Sequence, residues 1–126
     1  MKIELDSLAD SLNKVRAYEP GEINIAGNNY VRSLLVSPDS IVSDWPPLKF
    51  SDLQINDFEQ ILTLAPEIVI LGTGKTLTFP DPSLINPITE AGIGIEVMDT
   101  GAACRSYNFL LGEGRHVVAA LLMIQD

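Results

Sequence analysis

The residues best placed to do chemistry lie in two glycine-bearing stretches, Gly72-Thr73-Gly74-Lys75-Thr76 and Asp99-Thr100-Gly101. The first has the look of a phosphate cradle. A nucleotide-binding loop of that kind needs a glycine, four residues, then Gly-Lys-Ser/Thr, so that backbone amides wrap the phosphates and a helix begins beneath them. Gly74-Lys75-Thr76 supplies the end of the pattern, but the first glycine would fall at Val69, and Pro80 and Pro82 interrupt the helix that should follow. A dinucleotide fingerprint fails too, because Gly72 and Gly74 lack a third glycine at the required step. What survives is a pair of loops, each with exposed amides at the end of a strand.

Cys104 is the strongest nucleophile in the sequence, and it stands in the first turns of a helix opened by Thr100, where the helix dipole lowers a thiol's pKa. Against this, free cysteines are among the most buried residues, and Cys104 adjoins an apolar stripe. The structural role is the one expected. His116, the single histidine, precedes the last strand, so a Cys–His pair requires the fold to bring the two together. One His and one Cys among scattered carboxylates match no metal-ligand spacing, so no metal and no cofactor are expected. There is no Gly-x-Ser-x-Gly elbow, and strand alternation sends Glu96 and Asp99 in different directions. Arg105, Asn108 and Arg115 form a polar group around the Thr100 helix, for which capping of loops and helix ends is the simpler role.

The elements that must position these residues are legible in periodicity. Ile23 and Ile25 alternate with polar neighbours, Gly27-Asn28-Asn29 reads as a hairpin turn, and Tyr30 to Val36 as its second strand. Ile41 to Trp45 is a third strand, stopped by Pro46-Pro47. A helix capped by Asn56 carries Phe58, Ile61 and Leu62 on one stripe. Pro66 ends it and leads to a buried strand, Ile68 to Leu71. A short helix from about Ser83 to Ala91 is strained by Pro87. Ile93, Ile95 and Val97 form a strand, and Ala103, Tyr107, Leu110 and Leu111 the stripe of a helix ending at Gly112. Val117 to Ile124, apolar without alternation, fits a strand covered on both faces. Trp45 and Tyr107 are core anchors. The sum is a single α/β domain over 1–126, with a mixed sheet, a β-hairpin element, and residues 1–16 as a loosely assigned arm in which Lys2 to Leu5 could form an edge strand.

With 17 acidic against 8 basic residues the net charge is −9. Such a surface repels phosphate backbones and anionic headgroups, which argues against nucleic acid and membranes as partners. A basic protein partner or plain solubility accounts for it. The longest apolar run is too short to span a bilayer, and nothing near Met1 resembles a signal peptide.

Two signatures read together are more specific than either alone: Glu67-Ile-Val-Ile-Leu-Gly-Thr-Gly74, and Gly92-Ile-Gly-Ile-Glu-Val-Met-Asp-Thr-Gly-Ala-Ala-Cys-Arg-Ser-Tyr-Asn108 with Leu111 and Glu113-Gly-Arg115. They resemble a small single-domain family of unknown biochemical function whose eukaryotic members include a mitochondrial respiratory complex I assembly factor and an adipogenesis-associated protein. The likeness extends through Tyr18-Glu-Pro-Gly21, Tyr30 and Trp45, covering about residues 17 to 124. It implies a three-layer α/β fold with helices on a mixed central sheet whose last strand is antiparallel to its neighbours, and no established catalysis.

The expectation is therefore a non-enzymatic binding or assembly-type protein with a protein partner, placed in the cytoplasm because no mitochondrial targeting segment is seen. The alternative is a site for a small molecule or anion, catalytic or purely binding, on a rim shared by Gly72-Thr73-Gly74 and Asp99-Thr100-Gly101, with Cys104, Asn108 and Arg115 nearby. Ligands favour such rims at the carboxyl ends of parallel strands, and a helix start can hold an anion.

Overall fold

The computed structural model describes residues 12–125. Among these the chain runs through β1 (Val15–Glu19), β2 (Glu22–Ile25), β3 (Asn28–Tyr30), β4 (Leu34–Ser37), β5 (Ser40–Val42), a 3-10 turn at Phe50–Asp52, α1 (Ile55–Leu62), β6 (Ile68–Gly72), α2 (Asn86–Glu90), β7 (Gly94–Met98), α3 (Thr100–Gly112) and β8 (Val117–Leu121). β1, β2 and β3 make an antiparallel three-stranded sheet, and the other five strands a mixed sheet in the order β5-β4-β8-β6-β7. The domain is a mixed α/β fold, as the sequence pattern requires.

Apolar runs in β4, β6 and β8 are continuous because both faces of the large sheet are covered. On one face Leu34, Val36, Ile70, Ala119 and Leu121 pack with Tyr107 of α3 and with Ile23 and Ile25 of the small sheet. On the other, Leu35, Val69, Leu71, Val118 and Ala120 pack with Trp45, Phe58, Ile61 and Ile88. Three layers with two cores result. From β6 the chain steps outward to β7 through α2, then back across β6 to β8 through α3, so the two helices lie on opposite faces. Right-handed crossovers in opposite directions demand that arrangement.

The structure corrects several expectations. β8 is antiparallel to β4 but parallel to β6, because the α3 crossover returns the chain to the direction it had in β6. The hairpin turn is Ala26-Gly27, not Gly27 to Asn29. Both turn residues have positive φ, 53° and 95°, as a two-residue turn of matching twist needs, and Asn28 already pairs with Ile25. The run Tyr30 to Val36 is two strands, since it leaves the small sheet after β3 and enters the large one at β4. The strand expected over Ile41 to Trp45 is β5, Ser40–Val42, and Trp45 lies beyond it in the core.

Gln54, not Asn56, caps α1. Its amide donates to Asp57 Oδ2 at 2.8 Å in a reciprocal capping box. Burial pushes the Asp57 carboxyl pKa up, and the Gln54 amide opposes the shift. Pro87 sits in the first turn of α2, where its missing N–H has no helical acceptor to lose, so the helix starts at Asn86 and is unstrained by it. Residues 12–16 are anchored rather than loose: the Asn13 amide donates to Pro38 O and its side chain to Ser37 O, both at 3.1 Å, and β1 begins at Val15. The strand at Lys2 to Leu5 lies outside the described residues.

Trp45 Nε1 donates to the buried carbonyl of Asp57 at 3.1 Å, fixing the loop after β5 to the first turns of α1. Trp45→Phe removes that second bond to a carbonyl the α1 ladder still serves, and with it part of a fully buried ring. The expected loss is about 1–3 kcal/mol in urea unfolding followed by circular dichroism.

Candidate functional site

β6 and β7 are parallel neighbours in register, Gly72 opposite Met98, so the loops after them meet as the sequence pattern anticipates. What they build is a closed junction. Thr100 Oγ1 accepts from the Gly74 amide at 2.7 Å and donates to the Leu122 carbonyl at 2.7 Å. The Thr100 amide donates to Gly74 O at 2.9 Å, and the Thr73 amide to Met98 O at 2.9 Å. Thr73 Oγ1 donates to Thr76 O at 2.7 Å and accepts from the Thr78 amide at 3.2 Å. Gly72 allows the close approach, because a Cβ there would stand 3.0 Å from both Ala103 Cβ and Thr100 Oγ1. At the start of α3 the Asp99 carboxylate accepts from the Ala102 amide at 2.9 Å, taking the place an external anion would occupy. Outside this junction a hollow of about 190 Å³ is lined by Thr73, Gly74, Lys49 and Lys75 among others.

Cys104 is 1% exposed, and burial pushes its thiol pKa up to about 12, with the Arg105 charge lowering it by less. Burial thus outweighs the Arg105 charge, and the thiol is no activated nucleophile. Arg115 and His116 lie at the other end of the parallel strands, just before Val117, which pairs with Ile68. Arg115 forms an ion pair with Glu67 at 3.1 Å. The His116 amide donates to Glu67 Oε1, and its Nε2 lies 3.0 Å from Leu64 O. The His116 amide and Arg115 hold the Glu67 carboxyl pKa below the usual range. Cys104 therefore shares no cavity with Arg115 or His116. Among the described residues no group of three metal-ligating side chains gathers.

Asn108 shows what the signature of α3 does. Its Oδ1 accepts from the Val15 amide at 2.9 Å and its Nδ2 donates to the Val15 carbonyl at 2.7 Å, so one side chain completes the ladder of the edge strand β1. Tyr107 donates its hydroxyl to Asn13 O at 2.6 Å, and burial pushes its pKa up. Arg105 Nη1 donates to the Tyr18 hydroxyl, and the Tyr18 ring lies on Gly101, where a Cβ would meet it at 2.9 Å. Gly101, Arg105 and Asn108 recur at i, i+4 and i+7, one stripe of the helix, and that stripe faces β1.

Two concavities flank this helix. One, about 380 Å³, lies between α3 and β1 and is lined by Arg16, Tyr18, Cys104, Arg105 and Asn108 with Val15 and Ala17. The other, about 340 Å³, lies between α3 and β7; Ile70, Met98, Leu110 and Phe109 supply its apolar wall and Glu96, Arg105 and Ser106 its polar part. Arg16, Tyr18 and Phe109 were not sequence candidates, and Glu96 entered only as half of an acid–base pair that strand alternation excludes. Phe109 carried a signal, an aromatic residue on the polar side of an amphipathic helix, whereas Arg16 carried none.

These features have counterparts in known proteins. The family described as "Protein of unknown function (DUF498/DUF598)" matches residues 15–122. The chain belongs to that family. Within reach of this DUF498 chain is the NADH dehydrogenase [ubiquinone] 1 alpha subcomplex assembly factor 3 of Xenopus tropicalis, 30% identical over 110 residues, which are 86% of this chain and 60% of the relative. The chain thus spans about three fifths of that assembly factor's length. The 13 kDa major membrane protein of Francisella tularensis is 28% identical over 85% of this chain and 88% of its own length. The crystal structure of a protein from Bordetella parapertussis superposes with a TM-score of 0.84 at 37% identity, covering 89% of this chain and 96% of that one. No helix among the described residues is long and apolar enough to cross a membrane.

Two outcomes test this arrangement. Asn108→Ala strands both backbone groups of Val15, so unfolding free energy is expected to fall by about 2–4 kcal/mol, and the Val15 amide to lose hydrogen-exchange protection ahead of the β6 and β8 amides. Cys104 is expected to react with a thiol reagent at pH 8 only as fast as the fold opens. Its raised pKa stabilises the fold fully below the ordinary thiol value of 9.0, and that contribution is lost as pH rises from there towards about 12. A denaturation midpoint that holds constant from pH 8 to 11 would contradict the burial of the thiol.

Proposed function

We propose that the protein acts by binding another protein, as an assembly-type factor, rather than by transforming a small molecule. The observation that carries this reading is Phe109, 66% exposed in the middle of α3 beside the edge strand β7. A large aromatic side chain left in water next to an apolar groove is the usual anchor of a protein contact. Among the described residues β7 pairs on one side with β6 and ends the sheet on the other, an edge of the kind a partner segment extends. The relatives named as complex I assembly factors support the same reading, although the fold alone does not transfer a role. A net charge of −9 favours a partner whose contacting surface is basic.

Phe109→Glu is the informative variant, because an exposed position tolerates the charge without loss of the fold. In native extract the wild-type protein is expected to elute with a partner in fixed stoichiometry, and the variant to elute alone with an unchanged melting temperature. Wild-type protein that migrates as a free chain under every extraction condition would count against the reading.

A further inference from the structure

We propose that β7 is the docking edge for an extended segment of a partner protein, one that alternates apolar residues and sets a Lys or Arg opposite Glu96. The inference rests on the protein-binding reading above and names what that partner must bring. β7 runs Gly94-Ile95-Glu96-Val97-Met98, and its alternation divides two surfaces. Glu96 and Met98 lie on the α3 side, where both line the groove of about 340 Å³ beside Phe109 and Leu110. Ile95 and Val97 lie on the other side, half-buried against the core that holds Leu35, Trp45 and Phe58. Met98 is half-buried as well, so at this edge both faces of the sheet are covered only in part.

Glu96 is the middle residue of that edge, it is exposed, and among the described residues it makes no ion pair. Its β6 neighbour across the ladder is Ile70, apolar and buried, so that side offers the carboxylate no counter-charge. A charge in this position has two effects. It discourages unspecific pairing, since an apolar strand laid beside it sets hydrocarbon against a carboxylate. It also selects among partners, because opposite charges on directly opposed residues attract across a sheet and like charges repel. A second copy of this chain is the poorer occupant: antiparallel pairing of β7 with itself about its midpoint opposes Glu96 to Glu96, and two chains of net charge −9 repel. A helix laid in the groove reaches only the α3 side. An added strand bonds the β7 backbone and carries its alternate side chains over Met98 and the groove on one face, and over Ile95 and Val97 on the other.

The test uses isotope-labelled full chain and the synthetic peptide Ser-Leu-Val-Lys-Val-Leu-Ser, blocked at both ends, whose palindromic order presents the same side chains in either strand direction. Its isomer Lys-Leu-Val-Ser-Val-Leu-Ser has the same composition and charge but no central cation. With the first peptide, saturable amide shifts are expected over residues 94–98 and at Phe109, with new hydrogen-exchange protection of the β7 amides that do not bond β6. Its affinity is expected to exceed that of the isomer roughly threefold, the size of one cross-strand ion pair. In Glu96→Gln, a change at an exposed position that leaves the melting temperature in place, the two peptides are expected to bind equally. Equal affinity of the two for the wild-type chain, or no saturable shift at β7, overturns the proposal. So does protection of that edge before any peptide is added: protection at every protein concentration makes residues 1–11 the occupant, and protection that grows with concentration makes it a second copy. A partner that co-elutes through Phe109 while both peptides fail leaves the protein-binding reading standing and removes only the strand.

Discussion

The Thr100 hydroxyl is the joint on which the arrangement turns. It is fully buried, accepts from Gly74 after β6 and donates to Leu122 after β8, and it belongs to the first residue of α3. A single oxygen therefore satisfies two backbone groups that neither ladder could reach, and it ties two strand ends to a helix start. Buried polar groups without partners are costly, so this satisfied centre specifies where α3 begins. Once the start is fixed, the helical repeat determines that Gly101, Arg105 and Asn108 meet β1 while Phe109 points away from it. The small sheet, both concavities and the exposed aromatic are all downstream of that hydroxyl.

The α/β architecture was legible because burial on two faces writes itself as uninterrupted apolar runs, as in Ile68 to Leu71 and Val117 to Leu121. α3 was legible from its cap and stripe. The meeting of the Gly72 and Thr100 loops was legible only as a condition, that their two strands be neighbours, and the structure supplies the adjacency. What the residues did not disclose was who would satisfy whom. Thr73, Gly74 and Thr100 read as open donors until their partners 25, 26 and 22 residues away are known. Cys104 stands at a helix start that is visible in sequence, yet its adjoining apolar stripe made a structural role the expected one, and the structure buries it. β1 escaped detection because Arg16, Ala17 and Glu19 give it no alternating face, and its stability comes from Asn108 rather than its own composition.

α3 thus serves two flanks at once. Towards β1 it presents Arg105 and Asn108, and towards β7 it presents Phe109 and Leu110. A signature that resembles a catalytic motif in its mixture of Asp, Thr, Cys, Arg, Tyr and Asn is here mainly a docking stripe, each polar group meeting a specific backbone atom or hydroxyl. Motif composition alone would overstate its chemistry.

The position of β8 carries a consequence for biogenesis. It is the last described element in chain order and the middle strand of the large sheet, flanked by β4 on one side and β6 on the other. During synthesis the β4–β5 ribbon and the β6–β7 pair emerge with their inner edges bare, and they stay unjoined until residues 117–121 leave the ribosome. The sheet then closes in one late, long-range step, the kind that folds slowly and exposes strand edges to other chains while it waits.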